Sequence, residues 1–355
     1  MISLRAMMMR GGTSKGVYLL KSDLDGTGLH PDVLLPALMG SPDLRQIDGL
    51  GGGSSTTSKV AVVGPSSRPD CDVDYLFAQV AISTSRVDWT PTCGNLLTGV
   101  GPFAIERGLV APADGHTAMR LYLVNTGAAV DISVSTPDGC ISYAGGWEIS
   151  GVTGHAAPID MVFSDFCGGR TGTLFPTGSP VDHVEGVRIT AIDAGVCAVI
   201  AGAGEFGIAG DEPPHQLNSD GALLERLEYV RQRAALAMGL GDARGCVVPK
   251  VMLVSKSVRG HIRSRYFMPD SCHPAHAVSG AICLATAATV DDTVVARLLE
   301  QPFRSGQFVI EHPAGLMSIE IIRPDEGFGL RAGVRSTARK LFDGYVFADL
   351  SRRTG

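Results

Sequence analysis

Short apolar runs rich in Val, Ile and Ala recur along most of the chain, each cut off by glycine or a polar turn. Runs of four to eight such residues between turn formers read as β-strands. Strands are predicted at 16–20, 59–63, 72–83, 117–125, 129–135, 187–200, 251–255, 307–311 and 317–323, with a further one at the N-terminus around Ile2 to Met9. Four stretches carry helical character instead: 30–39, broken early by Pro36; a segment that follows Cys93 and ends near Gly108; 221–238; and 279–289. In the third, Leu223, Leu224, Leu227, Val230, Ala234 and Leu236 form one i, i+3, i+4 stripe, the pattern of a helix with a single buried face. Segments 94–105 and 279–289 are apolar nearly all round. A helix without a polar face is buried on every side. In a strand-rich chain, that predicts a helix wrapped by a curved sheet, once in each half, and hints at a distant duplication.

Length then sets the number of domains. A chain of 355 residues exceeds the size at which single cores stop growing, roughly 250 to 300 residues, so two domains are expected. The Pro- and Gly-rich stretch 168–186 marks the hinge, giving an N-terminal domain over 1–186, a C-terminal domain over 187–340, and a segment 341–355 returning to the first. No apolar run reaches the roughly 18 residues of a membrane span. The N-terminus lacks the ordered regions of a signal peptide and reads as mature sequence. Eight cysteines without a Cys-x-x-Cys pair, several inside apolar runs, point to a reducing, cytoplasmic setting. The net charge is −6 and basic residues occur singly, so nucleic acid is not an expected partner.

Two short motifs carry the chemistry. Thr56-Thr57-Ser58-Lys59 places an amine at the edge of an apolar strand, behind a run of glycine and hydroxyl residues from Gly49 to Ser58. Burial disfavours a charged ammonium, and a glycine-rich backbone lets a ligand approach closely, so such a lysine suits general-base work. A lysine snorkelling to solvent from a strand end is the plainer account of this segment alone. Cys93-Gly94-Asn95 opens the first all-apolar helix, where free N–H groups and the helix dipole favour a thiolate and bind anions. A buried inert thiol is the plainer account there. Ser279-Gly280-Ala281 opens the second such helix, so a second N-terminus is expected to bind a carboxylate, or Ser279 simply to cap the turn.

Three familiar patterns are discounted. Gly12 to Gly16 fits the nucleophile elbow, but a β-like segment follows rather than a helix. Gly202 to Gly207 fits a dinucleotide fingerprint, yet Pro213 and Pro214 follow, and a turn is expected. Cys272-His273-x-x-His276 has ligand residue types without a second pair at zinc spacing, so no metal is expected.

Met9-Arg10-Gly11-Gly12-Thr13-Ser14-Lys15-Gly16, Thr57-Ser58-Lys59 and Cys93-Gly94-Asn95 together resemble the PrpF family. The resemblance spans nearly the whole chain and looks closest to the family's 4-oxalomesaconate tautomerase branch, which serves gallate and protocatechuate breakdown. It implies an α+β, diaminopimelate epimerase-like fold: two similar domains, each a curved, mostly antiparallel sheet around a central helix, with the active site in the cleft between them. The family's catalytic lysine and cysteine fall on Lys59 and Cys93. In related epimerases each domain supplies one cysteine at its helix start; here Ser279 stands near the second position, with Cys272 and Cys283 out of register, so a symmetric two-thiol mechanism is not implied.

The resemblance therefore implies a cofactor-independent isomerase that moves a proton on a small unsaturated tricarboxylate. Lys59 is assigned as base and Cys93 as proton donor. Substrate binding is assigned to Arg10, Thr13, Ser14, Lys15, Ser58, Gly94, Asn95, Ser279, Gly280 and Ala281. Metal, nucleotide and redox cofactors have no place in this chemistry, and the expected partners are the tricarboxylate and a second subunit in a homodimer. The same residues would also serve a 2-methylaconitate cis-trans isomerase, or a non-catalytic small-anion-binding protein.

Overall fold

The structure of the protein is a computed structural model that describes residues 1–268, 270–323 and 329–350. The chain forms two units. Among the described residues, unit 1 holds Met1–Asn125, Ala129–Met161 and 335–350; unit 2 holds Thr126–Ala128 and those of 162–334.

Unit 1 contains strands β1 (Ile2–Gly11), β2 (Ser14–Leu20), β3 (Lys59–Pro65), β4 (Val73–Val80), β5 (Val87–Asp88), β6 (Gly115–Leu123) and β7 (Ala129–Thr136), and strand β8 (Pro158–Ser164) ends it. Its helices are α1 (Lys21–Asp25), α2 (Pro31–Met39), α3 (Gly94–Leu97) and α4 (Val100–Glu106). The sheet runs β1-β2-β3-β4-β6-β7, antiparallel except at β2/β3 and β4/β6, with β5 on β4. Residues 94–105 are buried, and α3 and α4 between them touch β1, β2, β3 and β7, so the sheet curves around them. The opposite face packs against α1 and α2 through Val17, Leu19, Val60 and Val62 with Leu24, Leu34, Leu35 and Leu38.

Unit 2 contains β9 (Asp182–Val184), β10 (Val187–Asp193), β11 (Cys197–Gly202), β12 (Lys250–Ser255), β13 (Ile262–Phe267), β14 (Gly306–His312) and β15 (Gly315–Ile322). Its helices are α5 (Pro214–Ser219), α6 (Gly221–Ala237) and α7 (Val278–Ala288). The sheet runs in chain order from β9 to β15, antiparallel except at β11/β12 and β13/β14. Every residue of α7 is buried, against β10, β11 and β15. The outer face packs on the apolar stripe of α6 through Leu223, Leu227, Val230 and Ala234.

The two units are built on one plan. From β1 to β7 without β5, and from β10 to β15, neighbouring pairs alternate antiparallel, parallel, antiparallel, parallel, antiparallel. A helix crossover links the second and third strands, and the buried helix links the fourth and fifth. On this plan Lys250, first residue of β12, stands where Lys59 stands in β3; both are buried.

Several expectations need correction. Unit 2 begins at Val162, well ahead of the hinge expected at 187, because the Gly- and Pro-rich stretch is bonded into unit 2: Gly168 N–H donates to Asp193 O, and the N–H groups of Arg170 and Thr171 donate to the Asp193 carboxylate. The return to unit 1 starts at Arg335 rather than 341, within the long strand β16 (Arg331–Ala348), which pairs with β1 from Gly11↔Ala338 to Ile2↔Ala348. The strand expected over 187–200 is a hairpin, β10 and β11, that turns at Gly195 with φ +74°. The helix after Cys93 comes in two pieces, because Pro102 has no N–H to donate and Gly99 lies against the Tyr18 ring.

Candidate active site

Alternation along β2 and β3 decides which side chains can meet. Val17 and Val60, in register, belong to the core under α2. Their neighbours Ser14, Gly16, Tyr18 and Lys59 therefore face the other way, toward α3. A side chain at Gly16 would meet Leu96 of α3, which fixes that direction.

Lys59 is 8% exposed, and its Nζ donates to Gln79 Oε1 at 2.9 Å and lies 4.9 Å from the centroid of the Phe77 ring. Tyr75, Phe77 and Gln79 share one face of β4, spaced by about 7 Å per pair of residues. Tyr75 Oη donates to Cys93 O at 3.1 Å. The amine and the thiol thus lie against the same strand face, with Phe77 and Tyr75 as their respective supports. Burial pushes the Tyr75 and Tyr18 phenols well above their ordinary value, with the nearby Cys93 adding to the effect, so both remain neutral donors. Tyr18 donates to Leu96 O, pinning the other end of α3.

Cys93, 9% exposed, is the N-cap of α3, with φ −130° and ψ 100°; its Sγ accepts from Leu96 N–H at 3.4 Å and its carbonyl accepts from Leu97 N–H at 2.9 Å. Among the described residues, the Gly94 N–H has no partner. Asn95 is buried, and its Nδ2 donates to Thr13 Oγ1 at 3.1 Å. That contact needs the glycine pair before it: Gly12 has φ +52°, and a Cβ there would run into Asn95 Oδ1. Ser14 is 3% exposed and its Oγ has no hydrogen-bond partner. An unpaired hydroxyl buried on the face that holds the amine is an open acceptor and donor for a ligand.

The remaining assigned residues are placed differently. Ser58 is fully satisfied, accepting from Gln46 Nε2 at 2.7 Å and donating to Val80 O at 2.9 Å, so its hydroxyl is committed to the framework. Arg10 and Lys15 stand in register with each other in the β1/β2 pair, next to the turn that carries Thr13. Arg10 Nη1 donates to Gly12 O and Thr337 O, tying the turn to β16. In unit 2, α7 begins at Val278 with Ala277 as N-cap, so Ser279 sits inside the first turn rather than capping it. The Ala281 N–H donates to Ala277 O at 2.9 Å and is spent within the helix. Gly280 is required by packing, since a Cβ would strike the Tyr266 ring. His276 is neutral: burial lowers it to about 3, and its nitrogens meet Ala277 O and Ser264 Oγ. Burial raises Cys272 to about 12. Among the described residues, no group of three or more His, Cys, Asp or Glu is placed to hold a metal, and no helix is long and apolar enough to cross a membrane.

Gln46 and Gln79 were not singled out by sequence reasoning. Gln46 donates to Ser41 and Ser58 and accepts from Gly53 N–H at 3.1 Å, anchoring the glycine-rich loop. Gln79 holds Lys59. The available signal was strand register: Gln79 lies directly opposite Lys59 in the β3/β4 pair.

A buried amine and a helix-capping thiol on one sheet face, in a fold of two like units each wrapped around a helix, define an isomerase of the diaminopimelate epimerase-like class. The fold is shared with methylitaconate-delta-isomerase, at 32% identity and a TM-score of 0.80 over 100% of this chain and 97% of that one. It is shared also with a hydroxyproline epimerase from Agrobacterium vitis, at 12% identity and a TM-score of 0.57 over 97% of this chain and 92% of that one. The 4-oxalomesaconate tautomerase of Pseudomonas putida is 45% identical over 342 residues, 96% of this chain and 94% of that protein. Residues 1–349 match the family described as PrpF protein, and the chain belongs to that family.

Proposed function

We propose that the enzyme is a 4-oxalomesaconate tautomerase, moving one proton on an unsaturated tricarboxylate of aromatic-compound breakdown, without a cofactor. The observation that carries the reading is the shared β4 face: Lys59 over Phe77, Cys93 held by Tyr75, and the unpartnered Ser14 hydroxyl directed toward the same side. The greater identity to the tautomerase, 45% against 32% for methylitaconate-delta-isomerase, supports this tricarboxylate over the smaller acid.

In 4-oxalomesaconate a carbon flanked by the ketone carbonyl on one side and the carbon–carbon double bond on the other has an acidic C–H, because its conjugate base is delocalised over both. Lys59, as the neutral amine, takes that proton; the electron pair spreads into a dienolate. Cys93 returns a proton to the dienolate at another atom, so substrate and product are isomers and no electrons leave the pair. The Gly94 N–H, the Ser14 hydroxyl and Asn95 offer hydrogen bonds to the developing oxyanion and a carboxylate. Base and acid are reset by exchange with water.

NMR of 4-oxalomesaconate with enzyme in D2O reports turnover and the exchanging carbon together. Wild type should exchange deuterium into the ligand, and Lys59→Met should lose turnover by about 10² to 10⁴, the worth of general acid–base catalysis. Near-wild-type turnover by a folded Lys59→Met protein would exclude the lysine as base. Binding without exchange would favour a non-catalytic anion-binding protein.

A further inference from the structure

We infer that Gln79 is a positioning residue for Lys59: a neutral carboxamide, locked in one orientation, that aims the amine and leaves it free to change protonation state. The inference rests on the reading of Lys59 as the proton-transfer group.

The orientation follows from the partners. Gln79 Nε2 lies 2.8 Å from Ser58 O and 3.2 Å from Ser55 O. Both are backbone carbonyls, which only accept, so the NH2 end of the amide must face them. The Oε1 end then faces Lys59 Nζ, at 2.9 Å. Flipping the amide would set its oxygen against two carbonyl oxygens and its NH2 against the amine, so the orientation is decided by the loop.

Two consequences follow for the amine. An amide oxygen accepts a hydrogen bond from either an ammonium or a neutral amine, so it directs Nζ in both states. A carboxylate in its place would form an ion pair and hold the proton on. The Phe77 ring, 4.9 Å from Nζ, leaves the underside of the amine without a polar partner and narrows where it can point. Because Nε2 grips Ser55 and Ser58, the same side chain also ties the loop that precedes Lys59 to the strand that faces it.

The second unit offers an internal comparison. Lys250 begins β12 as Lys59 begins β3. One step beyond the Val251↔Phe267 pair, the chain carries Met268 where β4 carries Gln79. A thioether is only a weak acceptor. The lysine–glutamine register pair of unit 1 is therefore not repeated in the sequence of unit 2.

The test is steady-state kinetics on 4-oxalomesaconate from pH 5 to 10, with thermal melts, for wild type, Gln79→Met, Gln79→Glu and Lys59→Met. Gln79→Met removes acceptor and donors at similar length, and should lower kcat at least tenfold with KM changed less than threefold. Gln79→Glu should retain more activity than Gln79→Met and move the lysine-dependent limb of the kcat/KM profile upward by about one pH unit, since a carboxylate favours the ammonium. A wild-type profile and kcat in folded Gln79→Met would overturn the inference. So would equal losses in both variants with an unmoved limb and a lowered melting temperature, which describe a loop tether alone. Full turnover by Lys59→Met would instead remove the underlying assignment, and this inference with it.

Discussion

At the residue scale, the site separates groups with free bonding capacity from groups already spent. Ser14 and Ser58 both lie in motifs that sequence reasoning assigned to substrate, yet Ser58 Oγ has two protein partners and Ser14 Oγ has none. A buried hydroxyl without a partner costs about 1 to 3 kcal/mol. Ser14→Ala should accordingly leave thermal stability unchanged or slightly raised while increasing KM by about tenfold, the worth of one hydrogen bond to an anion. A large drop in melting temperature with unchanged KM would make Ser14 structural. Cys93 is the other residue whose role is testable alone. Cys93→Ala should lose turnover by about 10² or more, and Cys93→Ser less, because a hydroxyl still hydrogen-bonds the intermediate. Alkylation followed by mass spectrometry should find Cys93 protected by 4-oxalomesaconate while exposed Cys140 labels regardless. Lack of protection, together with full turnover by Cys93→Ala, would leave the thiol only a packing role.

At the element scale, the turn between β1 and β2 and the start of α3 are one device. Gly11 and Gly12 let the turn approach Asn95, whose amide holds Thr13, while Tyr75 and Tyr18 anchor the carbonyls of Cys93 and Leu96. Gly12→Ala combines a left-handed backbone with a collision at Asn95. The backbone alone costs about 1 kcal/mol, and moving Asn95 disturbs the residue next to Gly94. Urea unfolding should show a loss above that figure, and turnover should fall more than stability predicts. Wild-type values for both would show that the close approach is dispensable. The positions of Cys93 and Lys59 at the edges of apolar segments were readable from spacing, since helix and strand starts have local signatures. The pairing of Lys59 with Gln79 was not, because register between β3 and β4 joins residues 20 apart in sequence.

At the scale of the whole molecule, pH sensitivity follows from imidazoles kept neutral inside unit 2. Burial lowers His276 to about 3 and His312 to about 4. In the unfolded chain each would take a proton near about 6.5, so below that pH the unfolded state binds protons that the folded state refuses. Their contribution is fully present above about pH 6.5 and is lost as pH falls toward 4 and 3, at about 1.4 kcal/mol per histidine per pH unit. The melting temperature should therefore decline between pH 6.5 and 4.5, and His312→Gln should remove about half of the histidine-linked slope. An identical slope in that variant would assign the acid sensitivity to carboxylates instead.

The strand-rich composition, the two helices buried on every side and the PrpF-family motifs around Lys59 and Cys93 are legible in the order of residues alone. These are local properties: periodicity, apolar content and residue type need no knowledge of distant partners. The folded chain adds that unit 2 starts at Val162 and that β16 returns to pair with β1. It alone showed Ser58 spent, Ser14 open, Ala277 rather than Ser279 at the cap of α7, and Gln79 on the amine. The physical reason is common to all of these. Hydrogen-bond satisfaction and sheet face are set by which strands lie side by side, and strand pairing between distant segments leaves no mark on either segment read alone.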